Sequence, residues 1–177
     1  MGYDLNQIVQ GRVWKFGDSV ESDAINPYYK YPTMTELKQH TMEAYRPEFP
    51  LQVKPGDVIV AGRNFGCGSS RPGLVLREVG IAGILVESVS RLFLRNNIAR
   101  GIPIFMAPGI GELVEDGDIL KVDYQSATAT NVRTGKSVAI RKFPPLIEKI
   151  FEAGGLPEVA RTRYLAELAA AGQTETA

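Results

Sequence analysis

The chain has 177 residues, and its 20 Lys and Arg residues balance 20 Asp and Glu residues, so the formal net charge is +0 at pH 7. This length predicts one domain with a substantial core. The balanced charge argues against nucleic acid or an anionic membrane as a partner. No apolar run approaches the ~20 residues that span a bilayer, and the first residues are too polar for a signal peptide, so we expect a cytoplasmic protein.

The counts of cysteine and histidine limit the metal chemistry of the chain. It contains one cysteine, Cys67, and one histidine, His40. A single cysteine cannot form an internal disulfide, which fits a reducing compartment. An iron–sulfur cluster needs about three or four thiolates, and a catalytic zinc usually needs several His or Cys ligands. We therefore expect no metal and no cofactor in this chain, and any cluster that its chemistry needs would come from another chain.

The first third of the chain predicts one strand and one helix within a long irregular region. Gly11–Phe16 is rich in strand-forming residues. The region 17–56 is rich in Pro, Tyr and polar residues, and Thr35–Tyr45 within it has a helical pattern, with Thr33 or Thr35 as the N-cap. Because loops of this length tend to be functional, we expect part of the site here.

Residues 58–106 alternate between apolar strand patterns and helix patterns. Such an alternation predicts parallel crossover units, in which ligands gather at the carboxyl ends of the strands. Ser88 is a candidate cap for the second helix, and Gly80 and Gly101 lie past the helix ends. The predicted elements are Val58–Ala61, Pro72–Val79, Ile81–Val86, Val89–Ala99 and Pro103–Met106.

The last third predicts a small antiparallel extension and two helices. The strands are expected at Gly117–Asp123, Ala127–Val132 and Ser137–Ile140, and the last two flank a hairpin turn at Thr134–Lys136. Helices follow at Pro144–Ala153 and Pro157–Ala170. The apolar side chains of the last helix predict one buried face, which packs on its own domain or, as the less favoured alternative, on another subunit. These side chains are Val159, Tyr164, Leu165 and Leu168.

The segment from Asn64 to Pro72 carries the chemistry. Its sequence, NFGCGSSRP, joins a strand pattern to a helix pattern. Two glycines allow a sharp turn, the start of a helix offers free N–H groups to an anion, and Arg71 matches a carboxylate. The segment lacks the third glycine of a dinucleotide fingerprint, the Gly-Lys-Ser/Thr of a P-loop and the Gly-x-Ser-x-Gly elbow. It predicts a carboxylate-binding turn that presents a serine oxygen, although a solvated surface turn would use the same residues.

This loop resembles the active-site loop of the aconitase superfamily swivel domain, in particular that of the separate small subunits of 3-isopropylmalate dehydratase and homoaconitase. The resemblance extends over residues 10–155 in three ordered motifs. The loop is one of these motifs. The second comprises Gly11–Asp18 and Ser22–Ile25, and the third comprises Ser90–Arg91, Asn96–Asn97 and Gly101–Ile104.

The resemblance implies the fold, the reaction and a partner. The fold would be α/β, an aconitase-type swivelling domain over residues 1–177 with a mostly parallel central sheet, flanking helices and a small β-extension. The chain would act only with a large subunit, as a heterodimer or heterotetramer. That subunit would carry a [4Fe–4S] cluster whose open iron is the Lewis acid. The pair would dehydrate and rehydrate a small malate-type hydroxy-diacid.

The resemblance also implies the roles of the site residues. Ser69 would be the base, Ser70 a hydrogen-bond donor and Arg71 a clamp for a substrate carboxylate. Asp23 would orient an arginine or a ligand group, and a plain cap or turn role is an equal alternative for it. The alternative to a catalytic role for Ser69 is that its hydroxyl only caps the turn.

The chain departs from the family pattern in two places. The segment Tyr28–Pro32 lacks the usual arginine, so either Lys30 would meet a distal carboxylate or the tyrosines, including Tyr31, would line a different pocket. Pro72 and Gly73 replace the usual Glu-His. Both departures make isopropylmalate less secure as the substrate, and dimethylmalate or homoaconitate remains open.

Other residues near these motifs have expected roles of their own. Arg63, Arg91, Asn96 and Asn97 are secondary candidates, and Arg91 is expected to pair with a nearby acid. Cys67 is expected to be a small buried filler. Two rival functions are a serine hydrolase that uses Ser69 with His40, otherwise an ordinary surface histidine, and a non-catalytic anion-binding module.

Overall fold

The computed structural model describes residues 2–69 and 71–174, and for residues 170–174 it describes the backbone alone. Within these ranges one seven-stranded sheet has the order β4-β3-β2-β1-β5-β6-β7. The strands are β1 (Val9–Lys15), β2 (Val58–Ala61), β3 (Gly83–Val86), β4 (Phe105–Met106), β5 (Ile119–Asp123), β6 (Thr128–Asn131) and β7 (Ser137–Ala139).

The sheet is mixed, and its two halves match the expected crossover units and the expected extension. Strands β1 to β4 pair in parallel, whereas β5 pairs antiparallel with β1, β6 with β5 and β7 with β6. The extension therefore continues the parallel half edge to edge through β1 and is not a separate unit. Because β1, β2 and β3 point the same way, the loops that follow them leave at one edge of the sheet, which we call the site edge.

Eight helices accompany the sheet in the part of the chain that the structure describes. Three of them, α1, α3 and α6, have four residues each and were not predicted, since one helical turn leaves no periodic pattern to read. The helices are α1 (Ser22–Ile25), α2 (Met34–His40), α3 (Phe49–Gln52), α4 (Leu74–Glu78), α5 (Arg91–Ala99), α6 (Ile110–Leu113), α7 (Pro145–Ala153) and α8 (Leu156–Thr174).

Strand β2 shows why the parallel half forms. All four of its residues are buried, because successive side chains point to opposite faces of a sheet that is covered on both sides. Val58 and Val60 enter one hydrophobic core, and Ile59 and Ala61 enter the other. Full burial of each Val or Ile side chain contributes about 1.5–3 kcal/mol relative to exposure. This central strand therefore fixes the position from which the site loop departs.

Helix α2 begins as predicted but ends early. Thr33 is the N-cap, and its side chain and that of Glu36 form a capping box, so Thr33 rather than Thr35 is the cap. The helix ends at His40 and does not reach Tyr45, because Thr41 adopts an extended conformation and its hydroxyl donates to the carbonyl of Ile25 at 2.7 Å. This bond ties the end of α2 to α1.

The other predicted boundaries need small corrections. Helix α5 begins after Ser90, and the hydroxyl of Ser88, the predicted cap, instead accepts a hydrogen bond from the N–H of Asn64 at 2.9 Å. Helix α4 has five residues and starts after Gly73, two residues later than predicted. Strand β1 begins two residues earlier than predicted, at Val9, whereas β3, β4, β5 and β6 begin one or two residues later, because the first residues of those apolar runs lie outside the paired ladders.

The expected packing of the last helix on its own domain is wrong, whereas the less favoured alternative, a contact with another subunit, stays a prediction. Every residue from Leu156 to Ala169 is exposed. At 100° per residue, the five exposed large apolar side chains of this helix spread over more than half of its circumference and do not form one stripe. They are Leu156, Val159, Tyr164, Leu165 and Leu168. The helix is held near its start, where it packs against α5 and α7.

No helix among the described residues has the length and apolar character needed to cross a membrane.

Candidate functional site

The loop that follows β2 turns three times through backbone conformations that few side chains tolerate. Asn64, Gly66 and Gly68 have φ values of 57°, 72° and 88°. At Gly66 the conformation and the space both require glycine, because a Cβ atom there would lie 2.2 Å from the ring of Phe93 on α5. The predicted sharp turn is confirmed, and its packing against α5 is a feature that the sequence did not reveal.

Backbone hydrogen bonds fix this loop between two other segments of the site edge. On one side, the N–H of Gly66 donates to the carbonyl of Val20 at 2.7 Å, and the N–H of Ser22 donates to the carbonyl of Cys67 at 2.7 Å. On the other side, the N–H of Ser90 donates to the carbonyl of Phe65 at 2.9 Å. The loop is thus a short continuation of the parallel sheet, held in place by its neighbours.

Two buried asparagines hold the end of the loop. The side chain of Asn97 accepts a hydrogen bond from the N–H of Gly73 at 2.9 Å, and that of Asn26 donates to the carbonyl of Pro72 at 3.2 Å. The N–H of Gly73, at the start of the five-residue α4, is therefore already bonded and is not available to an anion, and anion binding by the rest of this turn stays a prediction. Asn97 therefore has a structural role, and Asn96 beside it is half-buried.

Ser69 lies exposed at the tip of the loop, and its hydroxyl donates a hydrogen bond to the carboxylate of Asp23 on α1. The hydroxyl of the buried Ser22 lies 3.4 Å from the Ser69 oxygen. Asp23 was predicted as a site residue from its own motif, but its contact with Ser69 links segments 46 positions apart, which spacing along the chain does not reveal. Ser70, the predicted hydrogen-bond donor, lies outside the described residues.

Arg71 also lies exposed beside the loop tip. Its guanidinium carbon is 5.0 Å from the ring centroid of Tyr28, a cation–π contact that orients the side chain while its N–H groups remain available. Among the described residues no carboxylate lies within the 4.0 Å of an ion pair with Arg71. A guanidinium without a protein carboxylate can bind a carboxylate from outside.

The predicted distal residues form one cluster with His40. The ring of Tyr31 stacks on that of His40 with centroids 3.7 Å apart, and Nδ1 of His40 is 2.7 Å from a carboxylate oxygen of Glu43. The ammonium of Lys30 lies 5.1 Å from the centroid of Tyr31, whose hydroxyl raises the pKa of Lys30 above its usual value. His40 is thus half-buried and paired, and not the ordinary surface histidine that was expected.

A cleft of about 250 Å³ joins this cluster to Asp23. It brings together three of the predicted substrate-binding residues, Asp23, Lys30 and Tyr31, next to the loop tip. Its full lining is Glu21, Asp23, Ala24, Pro27, Tyr29, Lys30, Tyr31, His40, Glu43 and Ala44. A larger groove of about 700 Å³ runs along Gly2–Gln10, but it shares no residue with the loop and carries only Asp4 as a charged group.

Several secondary candidates differ from their expected roles. Arg91 was expected to pair with an acid, but within the described residues neither it nor Arg63 has a carboxylate in ion-pair range, and both side chains are exposed. Cys67 is half-buried rather than fully buried, and its thiol lies 3.5 Å from the carbonyl of Ser19. The described residues contain no group of three or more His, Cys, Asp or Glu side chains arranged for a metal ion.

The rival serine hydrolase needs His40 beside Ser69. In the structure the two side chains have different partners, since Ser69 bonds to Asp23 and His40 bonds to Glu43 and stacks on Tyr31. The hydroxyl is therefore oriented by a carboxylate and not by an imidazole. The arrangement defines a class of site, in which a loop of a parallel sheet presents at an open edge a hydroxyl bonded to a carboxylate and a guanidinium that has no carboxylate partner among the described residues.

Comparison with known proteins identifies this class. The model of the aconitase C-terminal domain family matches residues 4–108. The chain is 45% identical over 156 residues to the isopropylmalate/citramalate isomerase small subunit of Methanocaldococcus jannaschii, covering 86% of this chain and 93% of that protein. It is 43% identical over 156 residues to the methanogen homoaconitase small subunit of Methanothermobacter thermautotrophicus, covering 86% of this chain and 90% of the relative.

A solved structure shows the same fold. The crystal structure of 3-isopropylmalate dehydratase from Methanocaldococcus jannaschii superimposes with a TM-score of 0.84 at 36% identity, over 92% of this chain and 99% of the other. The chain therefore belongs to the aconitase C-terminal domain family and is a small subunit of an aconitase-type hydro-lyase. The designation of its relatives as small subunits implies a large-subunit partner.

Proposed function

We propose that this chain supplies the proton-accepting oxygen and a carboxylate-binding guanidinium for the reversible dehydration of a malate-type hydroxy-diacid. The reaction moves a hydroxyl to the adjacent carbon by loss and return of water. The observation that carries the proposal is the contact between Ser69 and Asp23 at an exposed loop tip, with Arg71 two residues further on. A large subunit with a [4Fe–4S] cluster would complete the site.

Ser69 would accept the proton from the carbon next to a substrate carboxylate. A serine hydroxyl is a weak acid, and a free alkoxide beside the carboxylate of Asp23 would be disfavoured by charge repulsion. Since the Ser69 hydroxyl already donates to Asp23, its proton can pass to that carboxylate as the serine oxygen takes the substrate proton. Loss of the substrate hydroxyl needs a Lewis acid, which the partner's cluster would supply.

Arg71 would clamp the substrate carboxylate that lies next to the reacting carbon. A guanidinium binds a carboxylate through two parallel hydrogen bonds, which fixes the orientation of the acid as well as its charge. The stacking of Arg71 on Tyr28 would hold the side chain ready for this contact. Ser70, which has no described structure, is proposed as a further hydrogen-bond donor to the substrate.

The cleft beside Asp23 would receive the substituent of the diacid. Three acidic side chains line it against one lysine, so a third substrate carboxylate would meet net negative charge. The acidic residues are Glu21, Asp23 and Glu43, and the lysine is Lys30. Ala24, Pro27 and Ala44 offer apolar contact. We therefore propose an alkyl-substituted malate, such as isopropylmalate or a methylated malate, over homoaconitate, with Lys30 and Tyr31 at the far end of the pocket.

The proposal also covers the assembly of the two subunits and the compartment in which they act. Heterodimer and heterotetramer both fit a small subunit whose site edge is open. The single half-buried cysteine suits a reducing compartment, so we propose a cytoplasmic location.

The test uses the chain assembled anaerobically with the aconitase-family large subunit of the same organism. Turnover is followed by ultraviolet absorbance of the unsaturated product for isopropylmalate, citramalate, dimethylmalate and homoaconitate. Ser69→Ala should lower kcat by about 10²–10⁴-fold and leave the assembly of the two subunits unchanged. Ser137→Ala, which removes an exposed hydroxyl of β7, is the matched control and should retain full turnover. Normal turnover of Ser69→Ala would refute the assignment of the base.

Asp23→Asn tests the proton path separately. The amide keeps the shape of the side chain but is a far poorer proton acceptor, so kcat should fall by at least about tenfold with little change in KM. A rise in KM with unchanged kcat would instead make Asp23 a substrate-binding residue. If the isolated chain binds the diacids tightly and the partner adds no turnover, a non-catalytic anion-binding module becomes the better description.

A further inference from the structure

The outer face of α5 carries an unusual combination of exposed side chains. Arg91, Leu92 and Arg95 are exposed, whereas Phe93 and Asn97 on the opposite face are buried under the site loop. At 100° per residue, the three exposed positions fall within an arc of about 100°. Leu92 lies at one side of this arc with 52% of its surface exposed. We call these three residues the α5 face.

The positive charges of this face have no counterpart in the described part of the chain. Neither Arg91 nor Arg95, nor the exposed Arg63 at the end of β2, has a carboxylate within 4.0 Å. Two acidic side chains in the segments that follow β3 and β1 are used internally. Glu87 accepts the N–H groups of Gly109 and Gly111, and Asp18 accepts the N–H of Arg63.

The α5 face is attached directly to the catalytic loop. The N–H of Ser90, the residue before Arg91, donates to the carbonyl of Phe65, and the rings of Phe65 and Phe93 pack edge to face at 5.7 Å. Gly66 fits against Phe93 without room for a Cβ atom. A body that covers Ser69 from the site edge therefore also meets the first turns of α5.

We propose that the α5 face, together with the exposed Arg63 on the site edge, is a docking surface for the large subunit, which binds it through an acidic surface with an apolar contact for Leu92. The inference rests on the proposed function, because it assumes that a second subunit closes over Ser69. Charge complementarity argues for this occupant over a second copy of the chain, since two such faces would bring four arginines together. Arginine is also enriched at protein interfaces, where its guanidinium group pairs on a partly apolar surface.

The experiment measures binding of the chain to the cluster-free large subunit of the same organism, so that its result does not depend on turnover. The double variant Arg91→Glu/Arg95→Glu should raise the Kd about 100-fold, and Leu92→Ser should raise it about fivefold. The matched control Lys121→Glu/Lys136→Glu makes the same charge change on exposed residues of the antiparallel extension and should change the Kd less than about twofold. Circular dichroism and thermal melting confirm that each variant is folded.

Salt dependence provides a second readout. The Kd of the unaltered chain should rise with ionic strength, and the double variant should lose most of that dependence, because the exposed charges that are screened have been removed. An unchanged Kd for the double variant would overturn the inference while the proposed function stands. An unchanged Kd with a lower kcat/KM would mean that the arginines steer the substrate, which also overturns it. If the unaltered chain fails to bind the large subunit, the proposed function fails first and this inference fails with it.

Discussion

The two ends of strand β2 differ in how their charged groups are paired. At the amino end, the carboxylate of Asp57 is 5% exposed and accepts hydrogen bonds from Arg12, the indole of Trp14 and the N–H of Lys54, at 2.8, 2.7 and 3.0 Å. At the carboxyl end, the side chain of Arg63 is exposed and unpaired among the described residues, and the site loop follows it. Both ends belong to the same strand, so we attribute the difference in charge pairing to their different roles, which are stability at the amino end and the site at the carboxyl end.

The antiparallel extension follows the pattern of the amino end. Asp118 pairs with Arg133 and also accepts from Asn131, which holds the pKa of Asp118 well below its usual value. Asp116 pairs with Arg46 at 2.9 Å, and Tyr124 donates to Glu148 at 2.7 Å. Charges that serve stability thus have partners within the chain. The arginines at the site edge have no such partner among the described residues, which is the basis for proposing that they bind other molecules.

The largest effect on stability is expected at the site loop. Gly66→Ala would place a Cβ atom 2.2 Å from the ring of Phe93 at a φ of 72°, and it should lower the free energy of unfolding by about 4 kcal/mol through overpacking and backbone strain. Gly135→Ala has nearly the same φ, 70°, but nothing within 4 Å, so it should cost only about 1 kcal/mol. Denaturant unfolding of both variants measures the difference, and equal losses would contradict the tight packing of the loop on α5.

A smaller effect is expected at the amino end of β2. Asp57→Asn removes the ion pair with Arg12 and leaves a poorer acceptor for Trp14, so the free energy of unfolding at pH 7 should fall by about 2 kcal/mol. Turnover per folded molecule should not change, because this end lies away from the site edge. Glu115→Gln, at a loose 3.8 Å pair with Lys15, serves as the control and should cost less than about 0.5 kcal/mol.

The same variant has a characteristic pH dependence. Burial alone would raise the pKa of Asp57, but the hydrogen bonds from Arg12, Trp14 and Lys54 outweigh it and hold the pKa below the usual value. A lowered pKa in the folded state means that the stabilisation is present above the unfolded pKa of about 4 and is lost as the pH falls through the folded value. The stability gap between the unaltered chain and Asp57→Asn should therefore narrow below pH ~4. A gap that is constant with pH would refute the ionised carboxylate.

The smallest effect is expected at the join between α1 and α2. Thr41→Val removes the buried hydrogen bond to the carbonyl of Ile25 and should lower the free energy of unfolding by about 1 kcal/mol. Thr41→Ser keeps the hydroxyl and should recover most of this loss. The bond helps to place α1, which carries Asp23. If Thr41→Val lowered the free energy of unfolding more than Asp57→Asn does, the site edge would contribute more to stability than the amino end of β2, contrary to the comparison made above.

Much of the fold was predictable from the sequence. The apolar runs that became β2 and β3, the capping box at Thr33 and the glycine-rich loop each depend on residues close together in the chain. The one-turn helices were missed, because a four-residue segment is too short to show a periodic pattern. The packing expected for α8 on its own domain was wrong, because an apolar side chain does not reveal what packs against it. The residues of the site were named from their motifs, but their contacts were not.

The sequence by itself determined most of the chain's elements, since short-range backbone preference and burial patterns are local, and its motifs carried the family resemblance from which Ser69 and Arg71 were chosen. Only the tertiary structure decided that the Ser69 hydroxyl donates to Asp23, that His40 stacks on Tyr31 and that the arginines of α5 have no acidic partner among the residues the structure describes. Those facts depend on which distant segments meet. Chain folding sets that geometry through packing and hydrogen bonds across many residues, and no spacing along the chain encodes it.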